Sequence, residues 1–572
     1  MMPLRHHAAS LLMRFALPLL LALLPLAAAA QPEPEQLPDL TPRAFEIRGD
    51  LQISLPNLER QPLRGFAPPP RTYVVPGSRQ TYVAPYGQRL DGLPADGLAA
   101  PAPPAVATLA PLTGRIDAGF GRYLSRLGRV TLNSGGFGLD VNYSGYSDFT
   151  PARFEDVPDF ADEDAGSDVF DGHIAYTTPG PTRFGFALDG DYQRYRLIDY
   201  RPVGASELSA PNRMGRTIGG SASIASNPPE GVSYGLEARF ASTDVGIDLD
   251  EDSLDLDEDA FDQSEVRFEA NGNARFGQFR VDAAGAFAGL GDEGIGESLT
   301  AYSAGGAIRV PFAGGRLDVG ARFLGYDASA SNGSGSSQNV GPIVDFDLPL
   351  STTTRVFVRN DPRVERRGLA GLVRENPYAV SEPIVAPNLH VIDGEGGIEV
   401  QSGSVRFTAF GGARYSPVFQ YFERVATGEQ AGLYEARYDE AIVFLGGGSL
   451  TLYTPVGLRV TAEAEGRAGS LRDGDRDIPY FAPLVGRLSL AMPFAGERGL
   501  VQVTGMAEST RPTATEEADA DAWATLDAEA HYLLSSGLGV LLRAERLAGK
   551  AERWPGFPRP PATVLVGLRA QW

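Results

Sequence analysis

The chain has 572 residues, 43% hydrophobic and 21% charged, with a formal net charge of −22. Such acidity argues against a nucleic-acid partner, which needs a concentrated basic surface. The absence of cysteine excludes disulfide frameworks, thiolate nucleophiles, Cys-ligated zinc and lipoprotein acylation.

The first thirty residues read as an address. Arg5, His6, His7 and Arg14 precede an apolar run at 15–26, which leads into Ala27, Ala28, Ala29 and Ala30. A basic start, a short apolar stretch and small residues make a cleavable secretory signal peptide. The run falls well short of the roughly 20 apolar residues needed to span a bilayer. Cleavage is expected after Ala30, and losing Arg5 and Arg14 leaves the mature chain more negative still. No later segment reaches the length of a membrane helix, so membrane entry would have to be through strands.

Residues 31–111 form a distinct block with sixteen prolines, including Pro68, Pro69 and Pro70 in a row. Proline at this density fixes φ, removes amide donors and favours extended polyproline II conformation. The block reads either as a flexible periplasmic linker or as an extended segment docked on a partner or inside a barrel lumen.

From about Gly114 the text changes to a period of two. Val266, Phe268 and Ala270 alternate with Arg267, Glu269 and Asn271, and Leu317, Val319, Ala321 and Phe323 alternate with Arg316, Asp318 and Arg322. This is the strand period, and it recurs down the chain. Connections alternate too. Short turns are expected at 179–181, 227–231, 275–277, 311–315, 349–351, 401–404, 454–456, 493–499 and 535–537. Long polar connections are expected near 149–166, 197–211, 243–263, 289–299, 327–337, 361–391, 417–440, 468–483, 509–521 and 548–561. Tight turns at one end and longer loops at the other are the signature of a membrane barrel. In hydrocarbon every backbone N–H and C=O needs a partner, so strands survive only in a closed sheet. The count is roughly twenty segments of about ten residues from Phe137 onward. Arg115 to Tyr123 and Arg129 to Asn133 supply one more pair. The fold class is therefore all-β, a transmembrane antiparallel β-barrel of about 22 strands, with 20–22 expected, behind a proline-rich N-terminal segment.

Within this pattern few residues suggest chemistry. The mature chain holds three histidines, His173, His390 and His531, far apart in sequence. No G-x-S-x-G elbow, H-E-x-x-H pair or phosphate-binding P-loop occurs. The stretch Asp248-x-Asp250-x-Asp252 looks like the opening of an EF-hand loop, but Ser253 stands where glycine is needed and Asp259 where glutamate is needed. It reads as a solvated acidic loop that holds divalent cations loosely if at all, like the clusters at 155–164 and 516–521. No catalytic, cofactor or metal residues are assigned, and no enzymatic activity is expected. The inner-face charges, among them Arg267, Arg280, Arg316, Arg322, Arg459 and Arg543 beside Glu269, Asp282, Asp318, Glu463 and Glu545, are expected to form cross-strand ion pairs or a selectivity ladder. The 361–391 connection is the longest, carries Arg363, Arg366, Arg367 and Arg374, and either folds inward across the pore or stays disordered.

The chain ends on Val564, Val566, Leu568, Ala570 and Trp572 in alternation. This resembles the C-terminal assembly signal of bacterial outer-membrane β-barrel proteins. With the signal peptide and the hairpin series, the chain most resembles the barrel of TonB-dependent receptors. That resemblance implies a Gram-negative outer-membrane location, contact with lipid and lipopolysaccharide, insertion by the barrel-assembly machinery through the Trp572 strand, and solute passage as a channel or receptor-like transporter. The resemblance stops at the barrel, because 31–111 is too short and proline-rich for that family's N-terminal plug and no apolar TonB box follows Gln31. A second reading is a non-conducting docking barrel that recruits a periplasmic partner through its N-terminal segment. The expected organisation is a signal peptide at 1–30, the proline-rich segment at 31–111 and the barrel at 112–572.

Overall fold

The computed structural model describes residues 112–149, 165–197, 211–228, 231–248, 263–291, 297–312, 314–328, 335–428, 430–472, 476–496, 498–514, 519–548, 553–557 and 562–572. The signal peptide, the proline-rich segment, most of the 244–265 acidic stretch and the cluster at 155–164 lie outside these residues.

The strands follow in chain order: β1 (Thr113–Gly121), β2 (Arg126–Ser134), β3 (Phe137–Phe149), β4 (Ala165–Thr177), β5 (Thr182–Arg196), β6 (Asn212–Ser226), β7 (Val232–Asp248) and β8 (Gln263–Phe276). Then come β9 (Phe279–Gly291), β10 (Glu297–Phe312), β11 (Gly315–Ala328), β12 (Ser336–Pro349), β13 (Thr354–Asn360), β14 (Arg363–Glu365), β15 (Asn388–His390) and β16 (Ile392–Ser402). The rest are β17 (Val405–Arg424), β18 (Tyr434–Tyr453), β19 (Arg459–Leu471), β20 (Arg476–Asp477), β21 (Leu484–Phe494), β22 (Gly499–Glu508), β23 (Trp523–Leu533), β24 (Leu538–Glu545) and β25 (Thr563–Gln571).

All but the short β14, β15 and β20 form the wall, a closed antiparallel barrel of twenty-two strands. Each wall strand pairs with its neighbour in the chain, and β1 closes the ring on β25 from Arg115 opposite Gln571 to Gly121 opposite Leu565. The expected last pair of strands is thus β1 and β2. Hairpins such as β8–β9 turn tightly through Gly277 at φ 61°, where two-residue turns need a positive φ. Among the described residues no helix is long and apolar enough to cross a membrane.

The alternation maps onto the wall as expected. Leu188, Ile218, Leu236, Phe268, Val340 and Val566 stand exposed on the outer face. Exposed apolar side chains outside and charged ones inside are the pattern of a transmembrane β-barrel wall. The opposite residues point inward and are largely ion-paired. Arg309 forks onto Asp318 at 2.9 and 3.2 Å, Arg316 meets Asp345 at 2.7 Å, and Arg322 meets Asp282 at 2.9 Å. The first two pairs brace neighbouring strands, and the third reaches past β10 from β11 to β9.

One expected loop is strand instead. The 417–440 connection shrinks to 425–433, because β17 and β18 each run for 20 residues, with a register shift between Ser416 and Phe419. Val418, Phe419, Tyr421 and Phe422 are all buried, so both faces of this stretch are apolar and the period of two is hidden.

Candidate functional site in the barrel lumen

The inner face is not polar throughout. Toward the end of the barrel that carries the long loops, Val245, Ala288, Leu290, Leu299, Leu324 and Tyr326 become buried inward-facing apolar residues. What covers them is the 361–391 connection, folded inward as a strap across the lumen.

The strap leaves the wall after β13 and returns into β16. Its two arms, β14 and β15, pair with each other, and Leu389 of β15 bridges Val418 of β17. Between the arms lies a short helix, α1 (Leu369–Glu375). Its Leu369, Leu372 and Val373 fall at i, i+3 and i+4, the spacing of one helix face, and all three are buried in the apolar cluster.

Polar contacts fix the strap to the wall on two opposite sides. Glu265 of β8 accepts from the Leu369 amide at the start of α1, where the free N–H groups and helix dipole favour a carboxylate. Arg267 donates to the Arg366 carbonyl at 2.7 Å, and Arg366 donates to the Gly285 carbonyl at 3.0 Å. Arg374 pairs with Asp191 of β5 at 3.3 Å, and the fully buried Arg213 of β6 donates to the Val380 carbonyl at 3.1 Å. On the other side, Val380 N–H donates to the Tyr434 carbonyl and Tyr434 N–H donates to the Tyr378 carbonyl, both at 2.9 Å. Strands β5 and β18 stand eleven strands apart in the ring of twenty-two, so the strap spans the lumen from one side to the other. Its tip is stacked into an aromatic cluster, with Tyr378 3.9 Å from Phe557 and Tyr434 4.9 Å from Trp554.

His390 is the anchor of the returning arm. Its Nδ1 lies 2.6 Å from Ser416 Oγ and its Nε2 3.2 Å from Glu365 Oε2. Asn388 donates to Glu365 at 3.2 Å, and Arg367 pairs with it at 3.1 Å. A serine, a histidine and a glutamate in a row invite comparison with a hydrolase triad. Both Ser416 and His390 are fully buried, and the contact between them joins the returning arm to β17. The network is a fastener. Burial pulls the His390 pKa down to about 4, so the ring is neutral at ambient pH. Burial alone would raise Glu365, but the His390 hydrogen bond, the Arg367 charge and Asn388 together hold it well below the carboxylate range.

The other two histidines stay apart from this site. His173 pairs with Asp189 at 2.5 Å on the β4–β5 wall, and His531 lies on β23 on the same face as Glu529. Among the described residues no cluster of His, Asp or Glu is arranged to hold a metal ion. Beside the strap lies a cavity of about 450 Å³, lined by Tyr146, Tyr195, Tyr378, Trp523 and Trp554 together with ion-paired arginines.

No family model and no curated protein matches the sequence. Solved structures do match the fold. The FrpB iron transporter from Neisseria meningitidis (F3-3 variant) superposes with a TM-score of 0.58 at 11% identity, over 81% of each chain. The copper transporter OprC gives 0.57 at 11% identity, over 82% of this chain and 81% of the other. BauA, the ferric preacinetobactin receptor from Acinetobacter baumannii, gives 0.55 at 12% identity, over 81% of each chain. The described residues thus have the barrel fold of TonB-dependent receptors, as the sequence resemblance implies.

Proposed function

We propose that the chain is an outer-membrane barrel for solute passage, a receptor-like transporter whose lumen is held shut by the strap. The observation that carries this reading is the strap itself. It crosses the lumen on a buried apolar core and is fastened to β5, β6, β8, β9, β17 and β18. A wall of this width without an internal obstruction would be an open channel. The fold is shared with an iron transporter, a copper transporter and a ferric preacinetobactin receptor, which supports passage of solute over a purely structural role. In this reading the long loops face outside, the short turns and the proline-rich segment face the periplasm, and the Trp572 strand is the signal read by the assembly machinery.

The chain has no native cysteine, so a tether can be built without background. Ala379 and Tyr434 are bridge partners between strap and wall. Cells carrying the Ala379→Cys, Tyr434→Cys barrel should exclude vancomycin when the pair is oxidised. Cells carrying a barrel in which a Gly-Ser linker replaces 366–387 should become several-fold more sensitive, with the barrel still inserted. Equal sensitivity of the wild-type and strap-replaced strains would favour the docking reading.

A further inference from the structure

The cavity beside the strap has a composition that selects its ligand. It sits in the long-loop half of the barrel, between the wall from β2 to β5, the wall from β22 to β25, and the strap residues Arg374 to Tyr378. Over it the β1–β2 connection is only four residues, Arg122 to Ser125, so the rim is low there. Its volume of about 450 Å³ falls within the range of small-molecule sites, roughly 300–1,000 Å³.

The charges lining it are already spoken for. Arg126 pairs with Asp168 at 3.2 Å, Arg374 with Asp191 at 3.3 Å, and Arg543 with Glu545 at 2.7 Å. Arg129 pairs with Asp117 at 3.4 Å, and Arg553 with Glu508 at 3.1 Å. An anionic or cationic ligand would have to displace an existing partner from such a pair to form one of its own. A neutral ligand that both donates and accepts can add to them without breaking any. Between the pairs stand neutral polar groups of the same double capacity, Ser144, Ser167, Gln193, Thr504 and Thr525. Aromatic faces complete the wall. Arg553 lies over both indoles, 5.7 Å from the Trp523 centroid and 5.9 Å from Trp554. Aromatic rings offer an apolar face to C–H groups while the polar residues around them take hydroxyls.

We propose that this cavity binds a neutral polyhydroxylated ligand, a short oligosaccharide. The site takes hydroxyls on its ion-paired arginines and carboxylates and stacks sugar C–H faces on Trp523. Because Arg374 and Tyr378 belong to the strap, the occupied cavity touches the element that closes the lumen. The inference rests on the transport reading for its purpose, yet binding is read without passage, so either can fail alone.

Two of the chain's three tryptophans line the cavity, and the third is Trp572. The full-length barrel carrying Trp572→Phe, in detergent, is titrated with maltose, cellobiose, lactose and sucrose, and separately with citrate and spermidine. The expected result is a saturable change in indole emission with at least one sugar and none with citrate or spermidine. By calorimetry that sugar should bind at least tenfold more weakly to Trp523→Ala and to Gln193→Ala, each confirmed as folded by heat-modifiable migration. No response to any of the four sugars, a response only to citrate or spermidine, or sugar binding unchanged in both variants would overturn the proposal.

Discussion

Asp117 shows what single residues contribute to closing the ring. It is fully buried on β1 and receives Arg569 of β25 in a fork, at 2.7 and 3.0 Å, with Arg115 at 3.3 Å and Arg129 at 3.4 Å. The strands that meet here are among the shortest in the wall, nine residues each, so side-chain pairing adds to few backbone bonds. Asp117→Ala would leave three guanidinium groups facing one another, with Glu529 left to offset them. Breaking a buried pair in this way costs about 3–5 kcal/mol. The variant is expected to lose its folded gel band at clearly lower temperature than the wild type, and an unchanged conversion temperature would refute the assignment. None of this could be read from the sequence, because Asp117 and Arg569 are 452 positions apart and only ring closure joins them. His390 likewise looked isolated, since Ser416 and Glu365 reach it only once the strap is folded.

At the scale of elements the strap was half legible. Its length marked it as needing a reason, and inward folding was one of two expectations. Helix α1 was not foreseen, because seven residues with three core positions give too little periodicity to stand out. The docking surface did leave a trace. In Phe323-Leu324-Gly325-Tyr326 and in Phe287-Ala288-Gly289-Leu290 the inner positions are apolar as well as the outer ones, so the strand is covered on both faces. The returning arm carries a pH dependence whose sign follows from its two titrating groups. His390 is held near 4 from an ordinary 6.5, and Glu365 is also lowered. A group lowered on folding contributes fully above its unfolded pKa and loses that contribution as pH falls toward the folded value. The strap should therefore be firmest above pH 6.5 and weaken progressively as pH drops toward 4. Hydrogen exchange of the 388–391 amides is expected to accelerate over that window in the wild type and to show a flatter profile in His390→Gln. A strap that tightens on acidification would contradict the sign.

For the whole molecule, alternation at the two ends of the hairpins carried the most information. Short and long connections predicted both the closed wall and its strand number, because a barrel confines long loops to one end. Where the wall's inner face is apolar, as in β17 and β18, the same rule misplaced a loop. Orientation follows from the same alternation: a tag after Gly333 or Asp257 should be reached by an antibody on intact cells, and one after Ser536 should not. Labelling with the opposite pattern would invert the barrel in the membrane.

If the strap closes a wall otherwise wide enough to conduct, planar-bilayer conductance of the purified protein will register it. The wild-type barrel is predicted to show little or no steady conductance at neutral pH, and the barrel with 366–387 replaced by a Gly-Ser linker to open large, stable steps. Large steps from the wild type, or a silent strap-replaced barrel that is correctly inserted, would contradict the account.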